Sequence, residues 1–485
     1  MPFPPVASRH ARWGVVVFLV SLGIAVPGRA QTPVPTPTPS IPNIAEDEKD
    51  FPGMTSLALG SGARAFGMGG AFLARADDAT AASWNPAGLS YLRRPEFTVV
   101  GARNNFVRKP TQPGETRLIE DSFIGNTPDF AAATYPLDTG PLSGSVQLSL
   151  QRVFSFTGDR NVVRADQGLT SSGTGGFDVF ALGTGLQVVR SVRLGIAVNR
   201  WFNGYHQERR RDAARGVTEQ NLDFNLSGWN INAGLIWSPM ESLNLGVVGK
   251  TTMKGSIVLD RNRLDFIPQP NPEPSPSPAP PVLVQTRNAA NSTVLRTDDQ
   301  PTPHEASVDV SIPGALGVGI SWRPKSVLTA SLDFTRTFWS KGRIHNFFTL
   351  ARTEPDQPSP FPTVFQNLPY PTLDDPKQSD TEQLRMGVEY VVLGRRLKLP
   401  LRAGFFTDKQ YFFDFRGEPP RFLGYTAGIG VAAGPLLLDV AFLRETGSYL
   451  DPEADPDDPA ARGAERSIRF NRIFVSVIYR YGRGP

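Results

Sequence analysis

Hydrophobic and polar residues alternate with a period of two along most of the chain beyond residue 95. In one run, Leu328, Ala330, Leu332 and Phe334 alternate with residues that carry a hydroxyl or a carboxyl group. Similar runs lie at residues 145–151, 243–260, 384–390 and 472–481. This pattern predicts β-strands. The runs last about ten residues, longer than the usual five or six of soluble sheets and long enough for a tilted strand to cross a bilayer. A soluble β-sandwich with shorter strands is the alternative.

The lengths of the connections between these runs favour a membrane barrel over a sandwich. Short connections are expected near residues 136–141, 189–192, 239–242, 324–326, 394–396 and 433–435. Long polar or proline-rich connections are expected at residues 108–126, 157–174, 206–219, 261–305, 341–381, 409–420 and 448–466. Strict alternation of short and long is typical of outer-membrane barrels, with short periplasmic turns and long extracellular loops. Residues 95–485 are therefore predicted to form an all-β, transmembrane antiparallel barrel of about fourteen strands with both termini in the periplasm.

The N-terminal residues have the composition of an export signal. Arg9 and Arg12 precede the short apolar stretch 13–26, and small residues end at Ala30. Residues 1–30 are thus predicted to be a cleaved signal peptide, with a retained membrane helix as the alternative. Residues 31–50 form a proline- and threonine-rich, then acidic, leader, which favours an extended conformation.

Composition and motifs exclude several classes of function. The chain has 485 residues, a formal charge of +4 and no cysteine, so neither disulfides nor a thiol nucleophile is available. The basic residues are spread out and predict no nucleic-acid partner. The four histidines are scattered, and neither a metal-ligand spacing nor a hydrolase motif is present. We therefore expect no enzyme, no cofactor and no metal.

Residues 51–94 differ from the rest of the chain because they are rich in glycine and alanine. Such a segment is too small-sided to build its own core, and its glycines suit a chain that bends sharply in a confined space. A barrel of about fourteen strands has a lumen too wide for its own wall side chains to fill. Residues 51–94 are therefore predicted to be a hatch, a plug inside the barrel.

Four stretches of this segment carry a family resemblance: GARA at 62–65, GMGGA at 67–71, ADDATA at 76–81 and WNPAGL at 84–89. They resemble the N-terminal hatch of the FadL-type superfamily of outer-membrane proteins, most closely its PorV/PorQ-type branch. The Asn-Pro-Ala element is shared with the channels for long-chain fatty acids and aromatic hydrocarbons. The resemblance implies a fourteen-stranded barrel with a periplasmic hatch. In the fatty-acid channels it further implies an apolar ligand pocket and an exit through a gap in the wall beside a kinked strand.

The candidate gating residues of the hatch are Gly67, Gly69, Gly70, Asp77, Asp78, Asn85, Pro86 and Ala87. Asn85 precedes a proline, so its backbone avoids the helical region and its amide is free to fix a turn. Asp77 and Asp78 either pair with lumen arginines and latch the hatch, or only cap a short helix and contact water. The candidate ligand-lining residues are Phe66, Met68, Phe72 and Leu73. The alternative is that these four only pack the plug against the wall.

Three further features have two interpretations each. The acidic run 451–458 is a candidate cation site or a solvated loop. At Gly228 the hydrophobic positions change parity, which suggests a β-bulge, either a wall opening or an ordinary irregularity. The Gly249-Lys250-Thr251 sequence matches the end of a phosphate-binding loop but lies within a strand pattern.

The leading hypothesis is an outer-membrane channel for passive uptake of hydrophobic small molecules, such as long-chain fatty acids or hydrocarbons. The hatch would open the lumen, and a lateral opening would release the ligand into the outer-membrane lipid. The alternative, which the PorV-type resemblance allows, is a barrel that docks secretion-system proteins. An outer-membrane enzyme is a third reading without a supporting motif.

Overall fold

The structure is a computed structural model, and it describes residues 60–112, 118–138, 143–164, 168–213, 216–268, 307–341, 378–395, 397–451 and 463–482. The predicted signal peptide, the leader and the first nine residues of the predicted hatch lie outside the described residues. Nearly all of the acidic run 451–458 does so as well.

The described chain begins with three short helical elements and continues as β-strands. Two α-helices, α1 (Ala63–Gly67) and α2 (Ala81–Trp84), precede a 3-10 helix at Pro86–Tyr91; another 3-10 helix lies at Trp339–Lys341. The first nine strands are Glu96–Pro110 (β1), Leu118–Asp138 (β2), Ser143–Ser155 (β3), Gly158–Arg164 (β4), Gly168–Val189 (β5), Val192–Phe202 (β6), Gly204–Ala213 (β7), Gly216–Met240 (β8) and Leu243–Lys250 (β9). The others are Met253–Pro268 (β10), Ser307–Ile312 (β11), Ala315–Lys325 (β12), Leu328–Thr337 (β13), Thr381–Leu393 (β14), Lys398–Lys409 (β15), Arg421–Ala433 (β16), Leu436–Leu450 (β17) and Glu465–Arg480 (β18).

All strands belong to one antiparallel sheet, which closes on itself because β1 pairs with both β2 and β18. Four strands of the barrel wall are each interrupted once. The interruptions separate β3 from β4, β6 from β7, β9 from β10, and β11 from β12, and each pair occupies one position in the wall. The eighteen segments therefore form a closed barrel of fourteen strands, which confirms the predicted fold class.

The two faces of the wall differ as the alternation predicts. Inward-facing positions are mostly small or polar, whereas large apolar side chains face outward around the barrel. Exposed aromatic residues lie close to the short turns: Tyr135, Trp237, Trp322, Tyr390 and Tyr479. An apolar outer band edged by aromatic residues is the surface that a barrel presents to lipid and its interface. Among the described residues, no helix is long and apolar enough to cross a membrane.

Several of the predicted long connections are partly strand. Residues 118–126 belong to β2, and the predicted connections 157–174 and 206–219 are largely the hairpins β4–β5 and β7–β8. The prediction was wrong there because these strands extend past the apolar outer band. Where both faces of a sheet are polar, hydrophobic alternation is lost although the backbone pairing continues.

The predicted bulge at Gly228 is absent. The register of β8 is continuous through Gly228, both against β6 and against β10. The hydrophobic residues change parity because Leu226 faces the interior and Trp229 faces outward. A real interruption lies at residues 251–252 instead, inside the run that was predicted to be one strand. Val247 before it is exposed, whereas Met253 and Ile257 after it are buried.

Candidate functional site

Residues 60–92, which we call the inner segment, lie inside the closed sheet. Every one of them except Arg64, Asp77 and Tyr91 is buried. The segment contacts nearly opposite parts of the wall: the amide of Ala63 donates to the hydroxyl of Ser476 on β18 at 2.7 Å, and the side-chain amide of Asn85 donates to the carbonyl of Leu235 on β8 at 3.2 Å. Because its partners lie on well-separated strands of the wall, the inner segment spans the lumen.

Glycines let the inner segment approach the wall closely. Gly69 and Gly70 have φ angles of 67° and 76°, in the left-handed region that favours glycine. A Cβ added at Gly69 would lie 2.6 Å from the carbonyl oxygen of Met386. Gly387 and Gly404 on the wall face this turn, and a Cβ on either would collide with the backbone of Met68 or Gly69. Backbone therefore packs on backbone here, and larger side chains on either side would push the segment away.

A network of buried charges links the inner segment to the wall, and its centre is Glu389 on β14. The Glu389 carboxylate accepts hydrogen bonds from Arg75 at 2.7 Å and from Arg64 at 3.2 Å, both in the inner segment. It also accepts one from Arg402 on β15 at 2.7 Å, and Arg402 donates to Asp439 on β17 at 2.6 Å. The attraction in a buried ion pair offsets the cost of desolvating its charges only when the hydrogen bonds of both partners have good geometry. Glu389 thus joins two arginines of the inner segment to three wall strands.

The candidate gating residues Asp77 and Asp78 have an arginine partner within the inner segment. Their main arginine is Arg64, at 2.7 Å and 3.5 Å, which belongs to the same inner segment. The wall residue Arg323 is 3.8 Å from Asp77. Asp78 also accepts from the amide of Thr80 at 2.9 Å, just before α2. Burial raises the pKa of the Asp77 carboxyl, the guanidiniums of Arg64 and Arg75 lower it, and the net shift is downward.

The Asn85-Pro86-Ala87 element fixes a turn at the wall. The side-chain amide of Asn85 donates to the carbonyl of Leu73 at 2.9 Å and to that of Leu235 on β8 at 3.2 Å. Its oxygen accepts from the amide of Ala87 at 3.1 Å. Pro86 begins the 3-10 helix, where its fixed φ angle is favourable. One buried side chain therefore ties two parts of the inner segment to a strand.

The candidate ligand-lining residues pack against the wall and against each other. The ring of Phe66 stacks on Phe474 of β18 with centroids 4.1 Å apart, and Phe72 meets Trp84 edge to face at 6.1 Å. Met68 lies against Gly387, and Leu73 lies against Gly317 and Gly319 of β12. None of these four lines the cavity described below. Their role as ligand contacts stays a prediction, whereas their packing is what the contacts show.

The sequence reasoning missed the wall residues that hold the inner segment. Asp333 accepts from the amides of Phe72 and Leu73 at 2.6 Å and 2.7 Å. Arg385 donates to the carbonyl of Gly69 at 2.9 Å. Like Glu389, Asp333 and Arg385 are charged residues on the inward parity of their strands. That placement is a usable signal, because an inward charge in a barrel wall needs a partner in the lumen.

An apolar cluster lies on the inner face of the wall, on the strands around the four interruptions. Its members are Phe154, Phe156, Phe177, Val179, Ala181, Trp201, Leu226, Met253, Ile257, Val310 and Ile312. A cavity of about 80 Å³ adjoins it, with Ala82 and Ser83 of the inner segment on one side. Asn199, Asn232 and Lys250 supply polar edges, and the Lys250 ammonium donates to the carbonyl of Ser83 at 3.0 Å. The cavity is therefore apolar on one side and polar on the other.

The wall is also incomplete beside this cluster. The pairing between β2 and β3 stops at Phe130↔Gln151, and the pairing between β2 and β4 resumes only at Ile124↔Asp159. The residues between these pairs form no ladder across this seam. Asn203, at the interruption between β6 and β7, has a positive φ of 72°. The apolar cluster thus reaches a break in the backbone pairing of the wall through Phe154 and Phe156.

The other chemical candidates show no site. Within the described ranges, no group of three or more potential metal-ligating side chains comes together. His206 pairs with Asp223 on the neighbouring strand. Lys250 and Thr251 lie at a strand interruption and not in a phosphate-binding loop.

Comparisons with known proteins give a match to solved structures. No protein-family model matches the chain, and no curated protein does. A crystal structure of an FadL homologue from Pseudomonas aeruginosa superimposes with a TM-score of 0.53 at 11% identity, covering 87% of this chain and 99% of that one. The CymD monoaromatic hydrocarbon channel gives 0.52 at 11% identity and covers 88% and 99%. The Ralstonia pickettii toluene transporter TbuX gives 0.50 at 14% identity, again over 88% and 99%. This chain therefore has the fold of the FadL-type outer-membrane barrels.

Proposed function

We propose that the protein is an outer-membrane channel for passive uptake of hydrophobic small molecules. The observation that carries the proposal is the apolar cluster on the inner face of the wall, which adjoins both a cavity and the interrupted seam. An apolar solute gains no free energy by moving from water into a hydrated lumen. Its free energy falls when it binds to a buried apolar surface. Two barrels of similar fold are a toluene transporter and a monoaromatic hydrocarbon channel, and such a ligand agrees with both.

The inner segment closes the direct path through the barrel, so uptake requires either its movement or a side exit. In this proposal the inner segment is a hatch, with Asn85, Pro86 and Ala87 as the element that must shift. The interrupted seam between β2 and the β3–β4 strand is the lateral exit, through which a ligand on the apolar cluster passes into the bilayer. Both chain termini lie in the periplasm. The ligand classes in this proposal are long-chain fatty acids and hydrocarbons.

The first experiment identifies what the protein binds. Protein extracted in mild detergent is analysed by mass spectrometry for bound small molecules. We expect a fatty acid or hydrocarbon, which is lost when Trp201 and Met253 beside the cavity are replaced by asparagine and glutamine. Replacing Phe66 and Phe72 by polar residues tests the earlier ligand-lining prediction in the same assay. An empty protein that also takes up no added fatty acid or toluene would contradict the proposal.

The lateral exit has a direct test because the chain contains no cysteine. Ile124 and Asp159 form the pair of the β2–β4 ladder that borders the seam. A disulfide between cysteines at these positions should stop uptake of labelled fatty acid or toluene, and a reductant should restore it. The control pair Ala132 and Ser149 lies within the regular β2–β3 ladder, so its crosslink should have no effect. Uptake through a fully crosslinked seam would exclude this exit.

Replacing Asn85-Pro86-Ala87 by three glycines tests the hatch. If these residues gate the channel, the variant must alter uptake while the barrel stays folded.

A second candidate function, a barrel that docks secretion-system proteins, is favoured by one observation. The inner segment is bound to the wall by a buried charge network and by several backbone contacts, as a permanent plug would be. Co-purification of secretion proteins with an empty barrel would support this function, whereas ligand-bound protein that purifies alone would oppose it.

A further inference from the structure

We infer that the outer wall carries a binding site for the phosphate group of an anionic membrane lipid, at Arg103, Arg444 and Arg469. These residues lie on β1, β17 and β18, which are neighbours in the closed sheet. All three side chains are exposed and occupy outward positions of their strands. The site lies on the outer face of the wall, outside the lumen.

The register places the three guanidiniums in one patch. Arg103 is paired with Ile473, and Arg444 is paired with Asn471, the next outward position on β18. Arg469 is the next outward-facing residue of β18 on the side of the long connections, and it pairs with Thr446. Side chains directly opposite or diagonal on one sheet face are close enough to act on one ligand. Asn471 is therefore directly opposite Arg444, diagonal to Arg103 and two residues from Arg469 on the same face of the sheet.

The patch lies at the upper edge of the lipid-facing band. Toward the short turns, the outward positions of β17 and β18 carry the exposed apolar residues Phe442, Ile473 and Val475. Arg444 pairs with Tyr425 of β16, an exposed aromatic residue of the kind that marks the bilayer interface. Above it, Lys109 is paired with Glu120 at 2.7 Å. The arginines are thus at the depth of lipid head groups, on the side of the long connections.

The local geometry suits a phosphate. A shallow groove of about 230 Å³ on the outer face has Arg103 and Arg444 at its sides, with Phe442 and Ile473 toward the bilayer. Asn126 and Asn471 accept hydrogen bonds from Arg103 at 3.3 Å and from Arg444 at 2.9 Å, which orients both guanidiniums while leaving donors over. Among the described residues, none of the three arginines is in an ion pair. Guanidiniums bind phosphate oxygens through two parallel hydrogen bonds.

The ligand is inferred to be a lipid phosphate and not a free anion, because the groove has an apolar side continuous with the acyl-chain region. An anionic lipid would place its phosphate between the arginines and its chains on Phe442 and Ile473. A basic residue near an anionic lipid surface contributes to binding by about fivefold. Removing two of the three arginines should therefore weaken binding by about 25-fold.

The test is native mass spectrometry of the detergent-solubilised protein with phosphatidylglycerol or phosphatidylcholine of identical chains. We expect wild-type protein to retain phosphatidylglycerol, and R103A/R444A to retain it at least about fivefold less, which is half of the 25-fold effect on a logarithmic scale. R190A, which removes an exposed arginine at the opposite end of the barrel beside the β5–β6 turn, should bind as the wild type does. Faster migration of unheated samples on gels verifies that each barrel is folded.

Two results would overturn the inference. One is equal retention of phosphatidylglycerol by R103A/R444A and R190A. The other is displacement of the bound lipid by millimolar inorganic phosphate with no preference between the two lipids, which would indicate a site for a free anion. R103K/R444K provides a second comparison, because it keeps both charges but loses the paired hydrogen bonds. Its affinity should lie between those of the wild type and the alanine variant.

Discussion

Glu389→Ala is the sharpest perturbation of the inner segment, because one carboxylate holds two of its arginines. Glu389 accepts three charge-assisted hydrogen bonds, at 2.7 Å, 2.7 Å and 3.2 Å, and its side chain is 4% exposed. Each such bond contributes about 1.5–3 kcal/mol, so simple addition gives roughly 5–9 kcal/mol. The three bonds share one desolvation cost and are not independent. Removing one partner of a buried pair costs about 3–5 kcal/mol, which we take as the expected loss.

The loss should be local, because Arg64 and Arg75 belong to the inner segment whereas the wall keeps its backbone pairing. A cost of about 3–5 kcal/mol raises the opening constant of the inner segment by about 10²- to 10⁴-fold. Hydrogen–deuterium exchange of peptides from residues 60–92 measures this opening directly. Peptides from β16 and β17 provide the internal reference, and their exchange should change far less.

Two further variants separate charge from structure. Glu389→Gln keeps the shape and one acceptor but removes the charge, so its exchange rates should be intermediate. Arg336→Ala breaks the exposed pair between Arg336 and Asp380, whose side chains are 48% and 16% exposed. Exposed pairs contribute about 0–1 kcal/mol, so this control should leave residues 60–92 unchanged. The reasoning fails if Glu389→Ala exchanges like Arg336→Ala.

Two other predictions concern the wall. Gly404→Ala adds a Cβ against the backbone of Met68 and Gly69, so we expect about 1–3 kcal/mol of local destabilisation and faster exchange in residues 60–92. Gly249→Ala, where a Cβ meets nothing within 4 Å, is the matched control; equal behaviour of the two would show that the close packing is not required. Asn203 has a φ of 72°, where alanine is strained and glycine is not. Asn203→Ala should therefore lower the free energy of unfolding in urea by about 1 kcal/mol more than Asn203→Gly. Both variants lose the same side-chain bonds, so a difference of zero would mean that the backbone there relaxes freely.

The barrel wall was predictable from the sequence because lipid and lumen impose opposite demands on alternate residues. Leu328–Thr337 shows this directly, with Leu332 and Phe334 facing outward and Ser331 and Asp333 buried inside. The prediction failed for residues 118–126 of β2, where the exposed apolar residues Ile119 and Ile124 have opposite parities beside a register shift at residues 118–120. Backbone hydrogen bonds continue there without any hydrophobic pattern to reveal them.

The inner segment was predictable in kind but not in its contacts. Its glycines and alanines indicate confinement, and Gly69 and Gly70 adopt the backbone angles that such a turn requires. Its charged partner could not be read from the sequence, since Glu389 lies more than 300 residues after Arg75 and contacts it only when the sheet closes. For Asp77 and Asp78 the sequence left open a pairing with lumen arginines or the capping of a short helix, and it did not reveal where the charged partners lie. The arginines belong chiefly to the inner segment, and the decisive carboxylate belongs to the wall.

The apolar cluster explains why hydrophobic parity is an unreliable guide near the strand interruptions. In a wall that faces lipid on one side and water on the other, apolar residues keep one parity unless the backbone is irregular. Leu226 and Trp229 break that rule on a strand whose register is regular, so the cause is the environment and not the backbone. The inward face itself becomes apolar at Leu226, and Met253 and Ile257 extend the same surface on the neighbouring strand. A parity change without a bulge therefore indicates a local apolar patch in the lumen, which is the feature that a hydrophobic ligand requires.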